Sequence, residues 1–243
     1  RRPSYAETGA NVLVCGPSSN DNDTVGVTTT ALLGGFRSDF SGSSAATPMV
    51  AGVATLVLAA NPQLTARDVR LILAQTARRN QPADPGWVTS AFGPAYHPEF
   101  GFGVADAAAA VTAARTWSSV GGESTRKSCG PYTRTPAIAL PDASATSSVT
   151  REDTVTVPAD CGITRIEYLE IGFTATHAYS GDLRIRLVSP NNLVSELARD
   201  RVCEGVCGNY DDWRFGSTRH LGEPAAGAWR LQVTDARSAD TGT

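Results

Sequence analysis

The run Phe40-Ser41-Gly42-Ser43-Ser44-Ala45-Ala46-Thr47-Pro48-Met49-Val50-Ala51-Gly52 crowds small residues around a serine at the head of a long apolar segment. That arrangement suits nucleophilic catalysis. A serine hydroxyl presented at a helix N-terminus meets the positive end of the helix dipole, and the residue's own backbone N–H faces any oxyanion formed by attack at that oxygen. Small neighbours let a substrate backbone come close. Pro48 is expected in the first helical turn, where a missing N–H costs little. A lipase-type elbow, Gly-x-Ser-x-Gly, fits worse because position 46 is Ala46. The plain alternative is a serine that only caps a core helix.

A serine nucleophile needs a base within hydrogen-bond reach and a group to orient that base. The chain carries three histidines, His97, His177 and His220. Any histidine base is therefore one of these or lies outside the 243 residues. The five cysteines are Cys15, Cys129, Cys161, Cys203 and Cys207. Zinc would want a second close pair to match Cys203 and Cys207, and Cys129 and Cys161 do not supply one. Disulfides Cys203–Cys207 and Cys129–Cys161 are the favoured reading and place the protein in an oxidising compartment; reduced, buried cysteines in a cytosolic protein are the alternative. Cys15 follows the apolar run Asn11-Val12-Leu13-Val14, which reads as a buried strand, and is expected to be an inert core thiol.

The elements that must position these residues fall into two styles. In the first half, Val12–Val14 and Val25–Thr30 read as strands around a loop from Gly16 to Asp23. Ser44 to Ala60 has almost no polar residue, which predicts a helix buried on all sides. Thr65-Ala66-Arg67-Asp68 has the form of a helix N-cap with an acid at the third helical position, followed by Val69, Ile72 and Leu73 at helical spacing. Asp106 is placed to cap a last helix through the alanines to Arg115. Beyond a Ser/Gly/Thr-rich stretch between Trp117 and Pro131 the period changes to two. Ile163–Phe173 is strand-like, Leu183, Ile185 and Leu187 alternate with Arg184 and Arg186, and Trp229, Leu231 and Val233 alternate with Arg230 and Gln232. Strands parted by turn residues, with no helix between them, indicate an antiparallel β-sandwich.

Composition narrows the function class. At 41% hydrophobic and 19% charged residues, a coiled coil, a collagen-like repeat and a long disordered tail are excluded. A net charge of −3 provides no field for nucleic acid or anionic membrane. The longest apolar run, near Val50–Ala60, falls short of the ~20 residues of a bilayer span. Arg1-Arg2-Pro3-Ser4 is not a signal peptide, so a secreted protein is expected to begin upstream of this chain. Lys127 is the single lysine against 20 arginines, a skew that nothing in the sequence explains.

Gly42-Ser43-Ser44-Ala45-Ala46-Thr47-Pro48-Met49-Val50-Ala51-Gly52 resembles the nucleophile signature of subtilisin-like serine proteases, Gly-Thr-Ser-x-Ala-x-Pro-x-x-Ala-Gly, with Ser43 in place of the usual Thr. By that match Ser44 is the nucleophile. Tyr5-Ala6-Glu7, Gly9–Val14 and Val27–Thr30, then Asn61–Val69 and Phe100–Ala107, resemble segments of the kexin and furin branch. The resemblance implies a calcium ligand near the S1 pocket at Glu7, 37 residues before the serine; an exposed loop glutamate is the alternative. His177–Pro190, Trp213-Arg214-Phe215, Leu221-Gly222-Glu223 and Gly227–Asp235 resemble the P domain of the same branch, which implies a jelly-roll sandwich. Asp182 and Asp235 are read as turn-capping residues rather than as calcium ligands.

The resemblance thus implies the C-terminal part of an α/β subtilisin-like catalytic domain over residues 1–118, a linker over 119–128 and an all-β P domain over 129–243 whose last strand is missing. It implies a secreted or periplasmic, calcium-dependent serine endopeptidase acting on polypeptides after basic residues. The family's Asp, His and oxyanion-hole Asn precede the serine and belong to an upstream segment, and the three histidines here are expected to be structural or surface residues. The alternatives are a non-catalytic fragment in which the P domain serves folding or binding, and a pseudoprotease.

Overall fold

The hairpin that leads into the serine is short. Val27–Thr30 (β1) and Phe36–Phe40 (β2) pair antiparallel with Thr30 opposite Phe36 and Val27 opposite Phe40. The computed structural model describes residues 2–19, 26–144, 146–203 and 207–243, so Val25, much of the predicted Gly16–Asp23 loop and the stretch 204–206 lie outside the described residues. Among the described residues the chain divides into two units. The first comprises Arg1–Thr8, Val12–Thr89 and Gly93–Arg126, and the second Gly9–Asn11, Ser90–Phe92 and Lys127–Thr243.

In the first unit, three helices pack together: α1 (Ser43–Ala60), α2 (Ala66–Thr76) and α3 (Ala107–Ala114). Val57, Leu64, Val69, Ile72, Leu73, Ala110 and Ala114 form their common core. Thr65 and Asp68 close a capping box at the start of α2, and Asp106 Oδ1 accepts from Ala109 N–H at the start of α3. One expectation fails here. α1 is not buried on all sides: only Ala45 and Val57 are buried, while Leu56 is 51% and Leu58 40% exposed. The helix uses one stripe against α2 and α3, and among the described residues of this unit nothing covers the opposite apolar face.

Val12–Val14 is likewise no regular strand. Cys15 makes a single parallel bridge to Val104, supported by Phe102 N–H to Leu13 O (2.8 Å), Cys15 N–H to Gly103 O (2.9 Å) and Ala105 N–H to Cys15 O (3.0 Å). Burial pushes the Cys15 thiol upward, which keeps it protonated, although the residue is half-buried rather than sealed in a core. The close approach of these two segments needs glycine. Gly101 has φ +60, and a Cβ there would collide with the carbonyl of Leu13. Gly101→Ala is therefore expected to destabilise the first unit by about 2 kcal/mol. Denaturant unfolding of the variant checks this, and an unchanged midpoint would contradict it.

Ser119–Thr125 is tied to α2 rather than crossing freely to the next unit. Val120 N–H donates to Asp68 Oδ1 at 2.8 Å, and Arg67 Nη1 donates to Gly122 O and Thr125 Oγ1, both at 2.9 Å. The division between units follows Arg126.

The second unit holds β3 (Thr150–Val157), β4 (Leu169–Ala175), β5 (Leu183–Val188), β6 (Val194–Ala198), β7 (Tyr210–Ser217) and β8 (Gly227–Asp235). They form an antiparallel four-stranded sheet in the order β3-β8-β5-β6 and a two-stranded sheet β4-β7. The alternation read from the sequence sets the faces: Leu183, Ile185 and Leu187 are buried while Arg184 and Arg186 between them are not. Leu140, Phe173, Tyr210 and Val233 fill one cluster, and Ile166, Leu187, Ala225 and Trp229 another. Gly9–Asn11 joins this unit through Thr218 N–H, which donates to Ala10 O at 2.8 Å. Disulfides link Cys129 to Cys161 and Cys203 to Cys207, as expected.

Candidate active site

Gly42 makes the turn from β2 into α1 with φ 83 and ψ 176, a backbone conformation that favours glycine. It is the N-cap, and Ser44 is the second residue of the helix. Ser43 and Ser44 have no intrahelical acceptor for their N–H groups, as at every α-helix start. The Ser44 side chain is exposed, and its hydroxyl takes no hydrogen-bond partner among the described residues. A hydroxyl oxygen, the amide beside it and the positive end of an 18-residue helix thus share one place.

Pro48 does not lie in the first turn. The helix begins at Ser43, which makes Pro48 its sixth residue. The proline ring removes the bond that residue 48 would otherwise donate to Ser44 O. The first turn is instead closed by Ala45 N–H and Ala46 N–H, both bonded to Gly42 O, and Pro48 falls in the second.

Both polar backbone groups of Gly42 are held by side chains distant in sequence. Gly42 N–H donates to Tyr5 Oη at 3.1 Å, and Gly42 O accepts from Ser18 Oγ at 2.9 Å. Tyr5 Oη lies 2.7 Å from Ser18 Oγ and 2.6 Å from Ser19 O, its two available acceptors. Neither Tyr5 nor Ser18 carries a local sequence signal for this role, since 37 and 24 residues separate them from Gly42.

Among the described residues each histidine is engaged by a carboxylate of its own unit. Buried His97 places Nε2 3.2 Å from Asp84 Oδ1 and stacks on Phe100 with ring centroids 4.6 Å apart. His177 Nε2 lies 3.2 Å from Asp235 Oδ2, and His220 Nδ1 2.7 Å from Glu223 Oε1, both pairs fully sealed from solvent. The Glu223 carboxyl, pushed up by burial, is held below its usual range by hydrogen bonds from His220, Ser189 and Asn191. The His177 and His220 pairs lie within the second unit, and the His97–Asp84 pair within the first.

Glu7 is exposed and makes no ion pair among the described residues. Its carboxylate suits calcium but supplies at most two of the six to eight oxygens that the ion takes. No group of three or more His, Cys, Asp or Glu able to hold a metal occurs among the described residues. Asp235 serves a turn, with Oδ1 accepting from Arg237 N–H at 3.2 Å. Burial and the neighbouring Asp235 charge push the Asp182 carboxyl upward.

The chain's two segments match two known protein families. Residues 3–103 match the family model described as the subtilase family, and residues 166–243 match the proprotein convertase P-domain. The chain is 31% identical over 238 residues to proprotein convertase subtilisin/kexin type 5 of Homo sapiens, covering 98% of this chain and 13% of that protein. It is 31% identical over 235 residues to protease KEX1 of Kluyveromyces lactis, covering 95% of this chain and 30% of the relative. The chain thus spans less than a third of either curated relative. A serine protease of Aeromonas sobria has the same fold, with a TM-score of 0.76 and 23% identity over 97% of this chain and 49% of that one.

Proposed function

Because the chain belongs to the subtilase family, in its kexin-like branch with a P domain, we propose that it is the nucleophile-bearing part of a serine endopeptidase. The observation that carries this reading is the exposed Ser44 hydroxyl at the head of α1, without a hydrogen-bond partner among the described residues and beside its own N–H. Ser44 Oγ attacks the scissile carbonyl and the Ser44 N–H donates to the oxyanion. A histidine of an upstream segment takes the serine proton and passes it to the leaving amine, which departs and leaves an acyl-enzyme on Ser44. That histidine then activates water, which releases the carboxylic acid and restores the serine. An upstream Asp orients the histidine, and an upstream Asn completes the oxyanion hole.

The exposed apolar face of α1, including Leu56 and Leu58, supports this division, since it is the surface such a segment would cover. Calcium, when bound, would stiffen the structure, with Glu7 as one ligand and the remaining oxygens contributed by the upstream segment. Two disulfides support a secreted or periplasmic location.

Cleavage after basic residues follows the branch. Fluorogenic peptides that differ only at P1 test this with the full-length protease. The expected result is at least 100-fold higher kcat/KM for Arg than for Leu, about 3 kcal/mol of transition-state discrimination. Equal rates would remove the basic preference, and no cleavage of any peptide would remove the endopeptidase reading.

A further inference from the structure

The position of Ser44 is set by the turn at Gly42, and that turn is not held by the hairpin and helix alone. Gly42 N–H donates to Tyr5 Oη, Tyr5 Oη donates to Ser18 Oγ or Ser19 O, and Ser18 Oγ donates to Gly42 O. With the phenol proton on Ser18 the chain of bonds closes into a ring, so each hydroxyl both gives and receives one bond. The ring grips the amide and the carbonyl of one residue in the left-handed region, two positions before the nucleophile. Glycine at such a position is the most freely deformable residue in the backbone. Displacements of about 1 Å at a reacting atom are enough to cost 100-fold in rate.

We propose that Tyr5 is a positioning residue for Ser44: its hydroxyl, with Ser18, locks the Gly42 turn and thereby fixes where the serine oxygen and its N–H point. Tyr5 touches no reacting atom and acts only through Gly42. This inference rests on the endopeptidase reading above.

The test uses the full-length protease with Tyr5→Phe, Ser18→Ala and the double variant. Tyr5→Phe keeps the ring and removes the hydroxyl alone. It is expected to lower kcat about 10-fold or more with KM within twofold, and to slow fluorophosphonate labelling of Ser44 in the same proportion. Ser18→Ala is expected to do the same, and provides the readout if Tyr5→Phe does not fold. The double variant should be little slower than either single one, because all three open the same ring. A merely structural role would lower the melting temperature with unchanged kcat in the folded enzyme. That outcome, a rise in KM at constant kcat, or multiplicative loss in the double variant would overturn the proposal. The wild-type enzyme separates the two readings. If it neither cleaves peptides nor labels at Ser44, the endopeptidase reading fails; if it does both and Tyr5→Phe matches it, only the positioning role fails.

Discussion

Replacing Ser44 with alanine in the full-length protease is expected to lower kcat roughly a million-fold while leaving KM within a few-fold. The size follows from how such a nucleophile works. Serine and base act as one unit, so removing the oxygen removes acyl-enzyme formation altogether. What survives is substrate binding and the donors of the oxyanion hole, which alone retain a small acceleration over water. The substitution should leave the fold intact. Ser44 is exposed, its hydroxyl has no partner among the described residues, and alanine is a good helix former at that place. Steady-state kinetics against an unchanged circular dichroism spectrum would check this. Loss of a few-fold only would move the nucleophile elsewhere.

The largest stability effect is expected at Asp68, which is fully buried at the start of α2. Its carboxylate accepts from Thr65 N–H at 2.8 Å, Thr65 Oγ1 at 2.7 Å, Ser119 Oγ at 2.7 Å, Val120 N–H at 2.8 Å and Trp117 Nε1 at 3.2 Å. Burial pushes the carboxyl up, but the Thr65 amide, the Ser119 hydroxyl, the Val120 amide and the Thr65 hydroxyl together bring it down to about 2. Asp68→Ala strips five donors of their common acceptor and removes half of a capping box. A cost of about 3–5 kcal/mol is expected, with loss of hydrogen-exchange protection in α2 and residues 117–121.

The pH dependence has a definite sign. A folded-state pKa below the ordinary value of 3.8 means that the ionised form is favoured by folding. The contribution is complete above about pH 4 and is lost as pH falls through about 2, for a total of about 2 kcal/mol. The wild type should therefore lose stability between these limits more steeply than Asp68→Ala. Parallel curves would show that the carboxylate is not the group responsible.

The sequence was most legible where one residue type repeats along one element. The period-two alternation through Leu183, Ile185 and Leu187 named the inner face of β5, and Thr65 with Asp68 named the start of α2. The place of Ser44 at the head of α1 was legible because small residues followed by a long apolar run mark a helix start there. The remainder depended on long-range partners. An apolar helix predicts burial only if enough chain surrounds it, and α1 leaves Leu56 and Leu58 uncovered among the residues described. Ser119 and Val120 looked like linker because polar, small residues carry no periodic signal, yet they bond to a carboxylate about 50 residues away. Tyr5 and Ser18 likewise gain their role only when Gly42 folds back to them.

The most direct measurement is active-site labelling followed by peptide mapping. The full-length protease should be modified by a fluorophosphonate at Ser44, and residues 1–243 alone should not be, because the proposed function places the proton acceptor in an upstream segment. Modification at a different serine, or equal labelling of Ser44 in the isolated chain, would contradict the assignment of a nucleophile here and its base elsewhere.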